Sequence, residues 1–273
     1  MASGRERALT FASAVASAAP PRGHVLYVCI PAYNEAPTIG VLLWRIRKTF
    51  QGFSREYEIV VCDDGSTDAT AETLQPYGEV LPLTVVRHER REGYARAVDA
   101  LCRAASARTR HPRRDAIVLM QADFTDQPEH IPELVKRFEG GADIVVGERA
   151  GGPAAPVPVR RLRRVAPWMI RPFVSVPGVA DPFGSFRLIR VSVLRDLIKA
   201  SGDELIVAGE GWAANVDLLL RTTPLARRVE TVELEPRYDV RPRETRVRPF
   251  ADAMALYRFG VAARRRRPAA PAQ

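Results

Sequence analysis

Cysteine is scarce in this chain, and its spacing forms no pattern: Cys29, Cys62 and Cys102 are the three among 273 residues. An odd number with no paired spacing gives neither a disulfide framework nor a zinc-ligand pattern, which points to a reducing compartment. Cys29 and Cys62 lie inside apolar strand-type runs and read as small buried hydrophobes. Long hydrophobic runs are missing as well. No stretch reaches the roughly 18 to 20 apolar residues that a membrane-crossing helix needs, and Ala8 to Ala19 is too weakly apolar for the core of a secretion signal. The expectation is a cytoplasmic protein, with peripheral contact on the cytoplasmic face of a membrane as its possible extension. There is no internal repeat. No recognised nucleic-acid motif accompanies the charge, so no nucleic-acid partner is expected.

Arginine is what the chain has in excess. Lys and Arg number 41 against 32 Asp and Glu, a formal net charge of +9, with the basic surplus concentrated after Arg87. Such a balance suits anionic partners: phosphorylated substrates, an acidic membrane surface or nucleic acid. A genome that prefers Arg to Lys would contribute to the same bias. With 46% apolar residues, the chain is long enough to bury a sizeable core.

Strand and helix signals alternate along the first half. Strands are expected at Val25 to Ile30, Tyr57 to Cys62, Leu83 to Arg87, Ala116 to Met120 and Ile144 to Val146. Helices are expected at Thr38 to Phe50, Thr67 to Gln75, Tyr94 to Ala107 and Ile131 to Phe138. Apolar strands separated by helices imply parallel pairing with both sheet faces covered. A Gly/Pro/Ala loop from Gly151 to Pro158 marks a change. Beyond it the pattern predicts helices at Val165 to Val176, Val191 to Ala200, Trp212 to Arg221 and about Pro249 to Ala263, with strands at Phe186 to Ile189 and Arg228 to Leu234. Residues 1–23 read as a disordered leader and 24–262 as one domain, with a nucleotide half (24–150) and an acceptor half (151–262). Residues 263–273 read as a basic tail.

Three acid-bearing segments end three of the predicted strands: Pro31 to Glu35, Asp63 to Asp68 and Gln121 to Asp126. In an open parallel sheet the carboxyl ends of the strands face one crevice, where ligands bind. Asp63 and Asp64 are adjacent like charges, a costly arrangement unless something binds them. Gly65 permits a tight turn, and Ser66 or Thr67 can cap the following helix. Tyr33 offers a ring on which a base can stack, and Glu35 can accept from a base or a ribose. Gln121 and Asp123 share a face of an extended backbone, and hard divalent cations take such oxygen ligands together with substrate phosphates. Taken singly, each acid also suits turn or cap chemistry.

The order of these segments, followed by Gly147-Glu148-Arg149 and Asp181-Pro182-Phe183-Gly184-Ser185-Phe186-Arg187, resembles the family 2 glycosyltransferases from about Val25 to Phe259. The later pieces look most like the branch that moves sugars onto dolichyl or polyprenyl phosphates. The resemblance implies an α/β GT-A fold, a mostly parallel central sheet with helices on both faces. It implies a nucleotide-sugar donor (GDP- or UDP-linked), Mg²⁺ or Mn²⁺ as cofactor, and a lipid-phosphate acceptor. Pro31, Tyr33, Glu35, Asp63, Asp64, Gln121 and Ala122 would line the nucleotide pocket, with Asp123 and Gln121 at the metal. Two departures stand out. The family's D-x-D reads Gln121-Ala122-Asp123, one negative charge fewer, and the last motif carries Arg243-Glu244-Thr245-Arg246 without its glycine.

For transfer to a phosphate, Arg149, Arg160, Arg161, Arg241, Thr245 and Arg246 are the candidates to position the acceptor, because guanidinium groups bind phosphate bidentately. With Asp123 and Asp181, three of them (Arg149, Arg241 and Arg246) make up the expected catalytic set. A hydroxyl acceptor would need a general base, and Asp181 or Asp217 could serve. A helix face in water is the plain alternative for Arg160 to Arg164, as core packing is for the last helix, whose aromatics precede four arginines. A sugar-phosphate nucleotidyltransferase would want a Gly-rich basic loop where Pro31 to Glu35 stands. A non-catalytic nucleotide-binding module remains an alternative because of Gln121.

Overall fold

The computed structural model describes residues 24–53, 55–149, 157–170, 176–235 and 249–266. Among them the chain forms one sheet from β1 (Val25–Ala32), β2 (Glu56–Asp63), β3 (Leu83–Arg87), β4 (Ala116–Leu119), β5 (Ile144–Arg149), β6 (Arg187–Arg190) and β7 (Val229–Leu234). The order across the sheet is β3-β2-β1-β4-β6-β5-β7. Neighbours are parallel except at β6, which runs antiparallel to both β4 and β5. The expected α/β class with a mostly parallel sheet is therefore the observed one.

Strand alternation explains why both faces are covered. In β1, Leu26, Val28, Ile30 and Ala32 enter one core, whereas Val25, Tyr27 and Cys29 enter the other. The first core is closed by α1 (Ala36–Gln51), through Ile39, Leu42, Leu43 and Ile46, and by α5 (Ile131–Glu139), through Leu134, Val135 and Phe138. The second is closed by α4 (Tyr94–Arg108), α7 (Val191–Ser201) and α8 (Trp212–Thr222). Each fully buried aliphatic side chain contributes roughly 1.5–3 kcal/mol. A third, smaller core joins α8 to α6 (Val157–Ile170) and α9 (Pro249–Arg266) through Leu162, Ala166, Phe183, Ala213, Val216 and Leu256. All three cysteines are buried thiols, as their apolar runs implied.

Several boundaries differ from the sequence expectation. The helix expected at Thr67 to Gln75 is the shorter α2 (Thr70–Leu74), and a further helix, α3 (Tyr77–Val80), follows it after Pro76. Asp68 stays outside α2 because its Oδ1 accepts the Thr70 N–H at 3.0 Å, the local bonding that draws Asp out of helices. Helix α6 starts at Val157, not Val165. Pro158 falls in its first turn, where a missing N–H costs nothing. Strand β5 runs on to Arg149 because β7 pairs with it as far as Leu234. Helix α9 continues to Arg266, past the expected start of the tail.

The reversal of β6 matters for function. Its amino-terminal end lies at the sheet edge where the other strands end, so the 180–186 segment arrives at the same crevice as the three acid-bearing turns.

Candidate active site

The first two turns are stitched together. Asn34 adopts φ 52°, a left-handed conformation that Asn tolerates. Its N–H donates to Ser66 Oγ at 2.9 Å, and its Oδ1 accepts the Thr67 N–H at 2.9 Å. Glu35 N–H donates to Thr70 Oγ1 at 2.9 Å, and Thr38 Oγ1 donates to Glu35 Oε2 at 3.0 Å. Pro31, paired with Cys62, and Tyr33 are partly exposed at this edge, while Glu35 is buried beneath it.

Asp63 and Asp64 divide differently from the expectation that both face a ligand. Asp63 is fully buried; its Oδ1 accepts the Ser66 N–H at 3.0 Å, and its Oδ2 lies 3.4 Å from Arg87 Nε. It is therefore a turn acid. Asp64 Oδ1 accepts from His88 Nδ1 at 2.7 Å and from the Glu92 N–H at 2.8 Å, and Oδ2 accepts the Gly93 N–H at 2.9 Å. Asp64 lays residues 88–93 down over the crevice, and three protein donors already use its carboxylate. A β-carbon at Gly65 (φ +64°) would meet the Arg90 carbonyl carbon at 2.3 Å, so glycine is what permits this close approach. Above Tyr33 the same loop places Arg91, whose guanidinium lies 4.3 Å from the ring centroid.

The third turn is held from within. Asp123 Oδ1 accepts the Thr125 N–H at 3.1 Å and the Thr125 hydroxyl at 2.6 Å. Phe124 between them has φ 62°, an outlying conformation for an aromatic residue. Ala122 points its methyl into the core, so only its backbone faces the crevice. The Gln121 N–H donates to Asp126 Oδ2 at 2.9 Å. Among the described residues no group of three or more His, Cys, Asp or Glu gathers into a metal cluster. One carboxylate with an amide oxygen nonetheless fits Mg²⁺ or Mn²⁺, cations that keep waters and complete their shell with diphosphate oxygens.

On the other side, Glu148 Oε1 accepts the Ala180 and Asp181 N–H groups at 2.5 and 3.2 Å. Asp181 Oδ2 pairs with Arg163 at 2.8 Å, and its Oδ1 accepts the Phe183 N–H. Arg187, fully buried, donates to the Asn215 carbonyl at 2.7 Å and to the carbonyls of Pro182 and Gly184. Desolvation lowers its pKa to about 10. Tyr94 donates to Asn215 Oδ1 at 2.8 Å, and Asn215 Nδ2 to the Phe183 carbonyl at 3.0 Å. Burial pushes the Tyr94 phenol up, opposed by Arg187 and Gln121. Glu210 accepts the Tyr94 N–H at 3.2 Å, and burial raises its carboxyl. Asp217 is held by Arg221 at 2.8 Å and by the Ala208 N–H at 2.7 Å.

Arg160 and Arg161 are exposed on α6. With Arg164, Val157 and Val165 they line a groove of about 420 Å³. Arg149 closes β5 at the crevice edge, and only its strand position is described. Arg241, Thr245 and Arg246 lie outside the described residues.

A family model, "Glycosyl transferase family 2", matches residues 27–198. This chain belongs to glycosyl transferase family 2. This family 2 glycosyltransferase is 33% identical over 172 residues to a dolichol-phosphate mannosyltransferase of Pyrococcus furiosus, a match covering 61% of the chain and 46% of that relative. It is also 33% identical over 124 residues to an undecaprenyl-phosphate 4-deoxy-4-formamido-L-arabinose transferase of Pseudomonas fluorescens, covering 45% of the chain and 34% of the relative. The chain thus spans less than half the length of these curated relatives. Among solved structures it resembles glucosyl-3-phosphoglycerate synthase from Mycobacterium tuberculosis in complex with Mn²⁺, UDP and glucosyl-3-phosphoglycerate. There the TM-score is 0.58 at 22% identity, over 88% of this chain and 78% of that one. It also resembles S. aureus TarS residues 1–349 in complex with UDP, with a TM-score of 0.53 at 16% identity, over 86% and 65%. These likenesses carry the fold: the sheet of this family 2 glycosyltransferase is a GT-A sheet.

Sequence reasoning missed Arg91, Tyr94, Asn215 and Glu210. None belongs to a strand-end motif; position in the fold alone brings them to the crevice. The Arg-Arg pair ahead of Gly93 was the available signal for Arg91.

Proposed function

We propose that this chain transfers a glycosyl group, with inversion, from a nucleoside-diphosphate sugar to a polyprenyl-type phosphate at a membrane surface. The observation that carries the reading is the meeting of the acid-bearing turns with the 180–186 segment at one sheet edge, a segment that Asp181 ties to Arg163 of α6. The Tyr33–Arg91 pair and the Asp123 turn suit a nucleoside and its diphosphate, and the Arg160, Arg161 and Arg164 groove suits an anionic acceptor. The named relatives act on dolichol and undecaprenyl phosphates, which supports the acceptor class. Residues 24–262 form the catalytic unit in this reading, and its locale is the cytoplasmic face of a membrane.

Each group then has a task. Tyr33 and Arg91 hold the base, and Pro31 and Glu35 border the ribose. Asp64 sets the 88–93 loop in place. Asp123, with Gln121 as neutral partner, holds Mg²⁺ or Mn²⁺. When bound, such a cation offsets the charge that grows on the departing diphosphate. The acceptor phosphate is an anion at neutral pH and attacks the anomeric carbon without a base. Arg149, Arg160, Arg161, Arg241, Thr245 and Arg246 position it. Asp181 and Asp217 are both committed to arginine partners, a poor state for a general base, which favours phosphate over a hydroxyl acceptor.

The acceptor side also presents an apolar, basic surface. Trp168 (78% exposed) and Val165 on α6 are exposed, as are Phe250 (82% exposed), Met254 and Tyr257 on α9, which packs against α6, and Val165 lines the arginine groove. Aromatics next to basic side chains suit an anionic lipid interface. No described helix is long and apolar enough to cross a membrane.

The test supplies labelled UDP- or GDP-sugars with Mn²⁺ and a short-chain polyprenyl phosphate in detergent. Label moving into the organic phase supports the reading. Label moving only onto hydroxyl acceptors would replace it with transfer to a glycan or small molecule.

A further inference from the structure

Asp126 belongs to the third strand-end segment, yet none of the roles above uses it. It is 4% exposed, and its Oδ2 accepts two hydrogen bonds, one from within its own turn and one from a distant part of the chain. One comes from the Gln121 N–H at 2.9 Å, the other from the Ser185 hydroxyl at 3.0 Å. Gln121 opens the turn that carries Asp123. Ser185 lies in the segment that enters β6 from the acceptor side. The Asp126–Ser185 hydrogen bond joins the two segments directly. A carboxylate serving only to close its own turn would need the Gln121 N–H alone. The second bond spans 59 residues of sequence.

The surroundings make this link stiff. The 180–187 segment is anchored on its far side by Glu148, Arg163 and Asn215. Arg187 runs beneath it, and its buried charge is favoured by Asp181 and Asp126. The Asp123 turn is closed by Thr125. Two rigid pieces joined through one buried oxygen cannot shift independently without breaking a charge-assisted hydrogen bond.

We propose that Asp126 and Ser185 are positioning residues that couple the halves of the site, so that loading a nucleoside diphosphate and its cation on the Asp123 turn fixes the 180–187 segment for the acceptor. This rests on the assignment of donor and acceptor sides made above.

The test follows amide hydrogen exchange in residues 180–187, with and without UDP or GDP plus Mn²⁺, while calorimetry measures nucleotide affinity. In the unmodified protein the ligand slows exchange there by about tenfold or more. Ser185→Ala binds the nucleotide with unchanged affinity and loses that slowing, and Ser185→Thr, which keeps the hydroxyl, retains it. A merely structural bond would raise exchange in Ser185→Ala with and without ligand and leave the ligand-induced difference intact, which overturns the coupling. So does an unmodified protein that binds nucleotide without protecting the segment. If neither nucleotide binds with Mn²⁺, the functional reading fails, and the coupling fails with it.

Discussion

Arg91 covers one face of the Tyr33 ring, its guanidinium 4.3 Å from the centroid. The contact depends on the loop before α4, which Asp64 holds by the Glu92 and Gly93 N–H groups. A base entering the crevice can then stack on tyrosine, on the guanidinium, or between them. Stacking of a base on an aromatic side chain is worth about 1–3 kcal/mol. Tyr33→Ala should therefore weaken nucleoside diphosphate binding by roughly one to two orders of magnitude, and Arg91→Ala by less. Calorimetry on both variants checks this, and unchanged affinity in both would remove the pair from the pocket.

Asp123→Ala should abolish turnover while the fold survives, since the Thr125 bonds to its Oδ1 are local to the turn. The lost turn bonds should cost about 1 kcal/mol of stability, read as a small drop in Tm. Gln121→Asp restores a formal charge to the cation's surroundings and should tighten Mn²⁺ binding. An unchanged Mn²⁺ affinity would mean that residue 121 does not face the ion.

Arg187→Met should be severely destabilising, by about 3–5 kcal/mol. It strips donors from the carbonyls of Asn215, Pro182 and Gly184 and leaves Asp126 and Asp181 without a buried cation. Denaturant unfolding measures the loss. A shift under 1 kcal/mol would mean those carbonyls find other donors.

Alkaline pH should destabilise the fold through its cysteines. Cys29, Cys62 and Cys102 all have pKa values raised by burial. A raised folded pKa means stability that is fully present below the free thiol's value of 9.0 and is lost as pH rises beyond it. Each thiol should cost about 1.4 kcal/mol per pH unit above that point. The denaturation midpoint should fall between pH 8 and 10, and Cys102→Ala should show a shallower slope. An equal slope would remove Cys102 as a source.

The α6 and α9 surface should bind vesicles containing anionic lipid and ignore zwitterionic ones. Each arginine near the surface is worth about 1 kcal/mol, so replacing Arg160, Arg161 and Arg164 by Glu should abolish sedimentation with vesicles. Binding that survives this change would shift the attachment elsewhere.

Much of this architecture was legible in the residues. Strands β1, β2 and β4 were plain because they are buried on both faces, so their apolar runs are continuous. The direction of β6 was not, since alternation along a strand is the same in either direction. Helix α6 was read late because prolines and arginines hide its apolar positions, and Pro158 resembles a loop residue until it is seen in a first turn. At the site, the strand-end acids marked the crevice. Their different roles depended on which backbone N–H groups they accept: that of Ser66 in the same turn for Asp63, and those of Glu92 and Gly93 from a distant loop for Asp64. Asp126 looked like one more turn residue because its second partner, Ser185, is brought to it only by the fold.

The central claim is a nucleotide site whose affinity depends on a divalent cation held at Asp123. Titrating UDP, GDP and dTDP by calorimetry, with and without Mn²⁺, into the unmodified protein and into Asp123→Ala tests it directly. The account predicts that Mn²⁺ strengthens the binding of one of these nucleotides in the unmodified protein and has no effect on the variant. Equal affinity with and without the cation, or a cation effect that persists in Asp123→Ala, would contradict it.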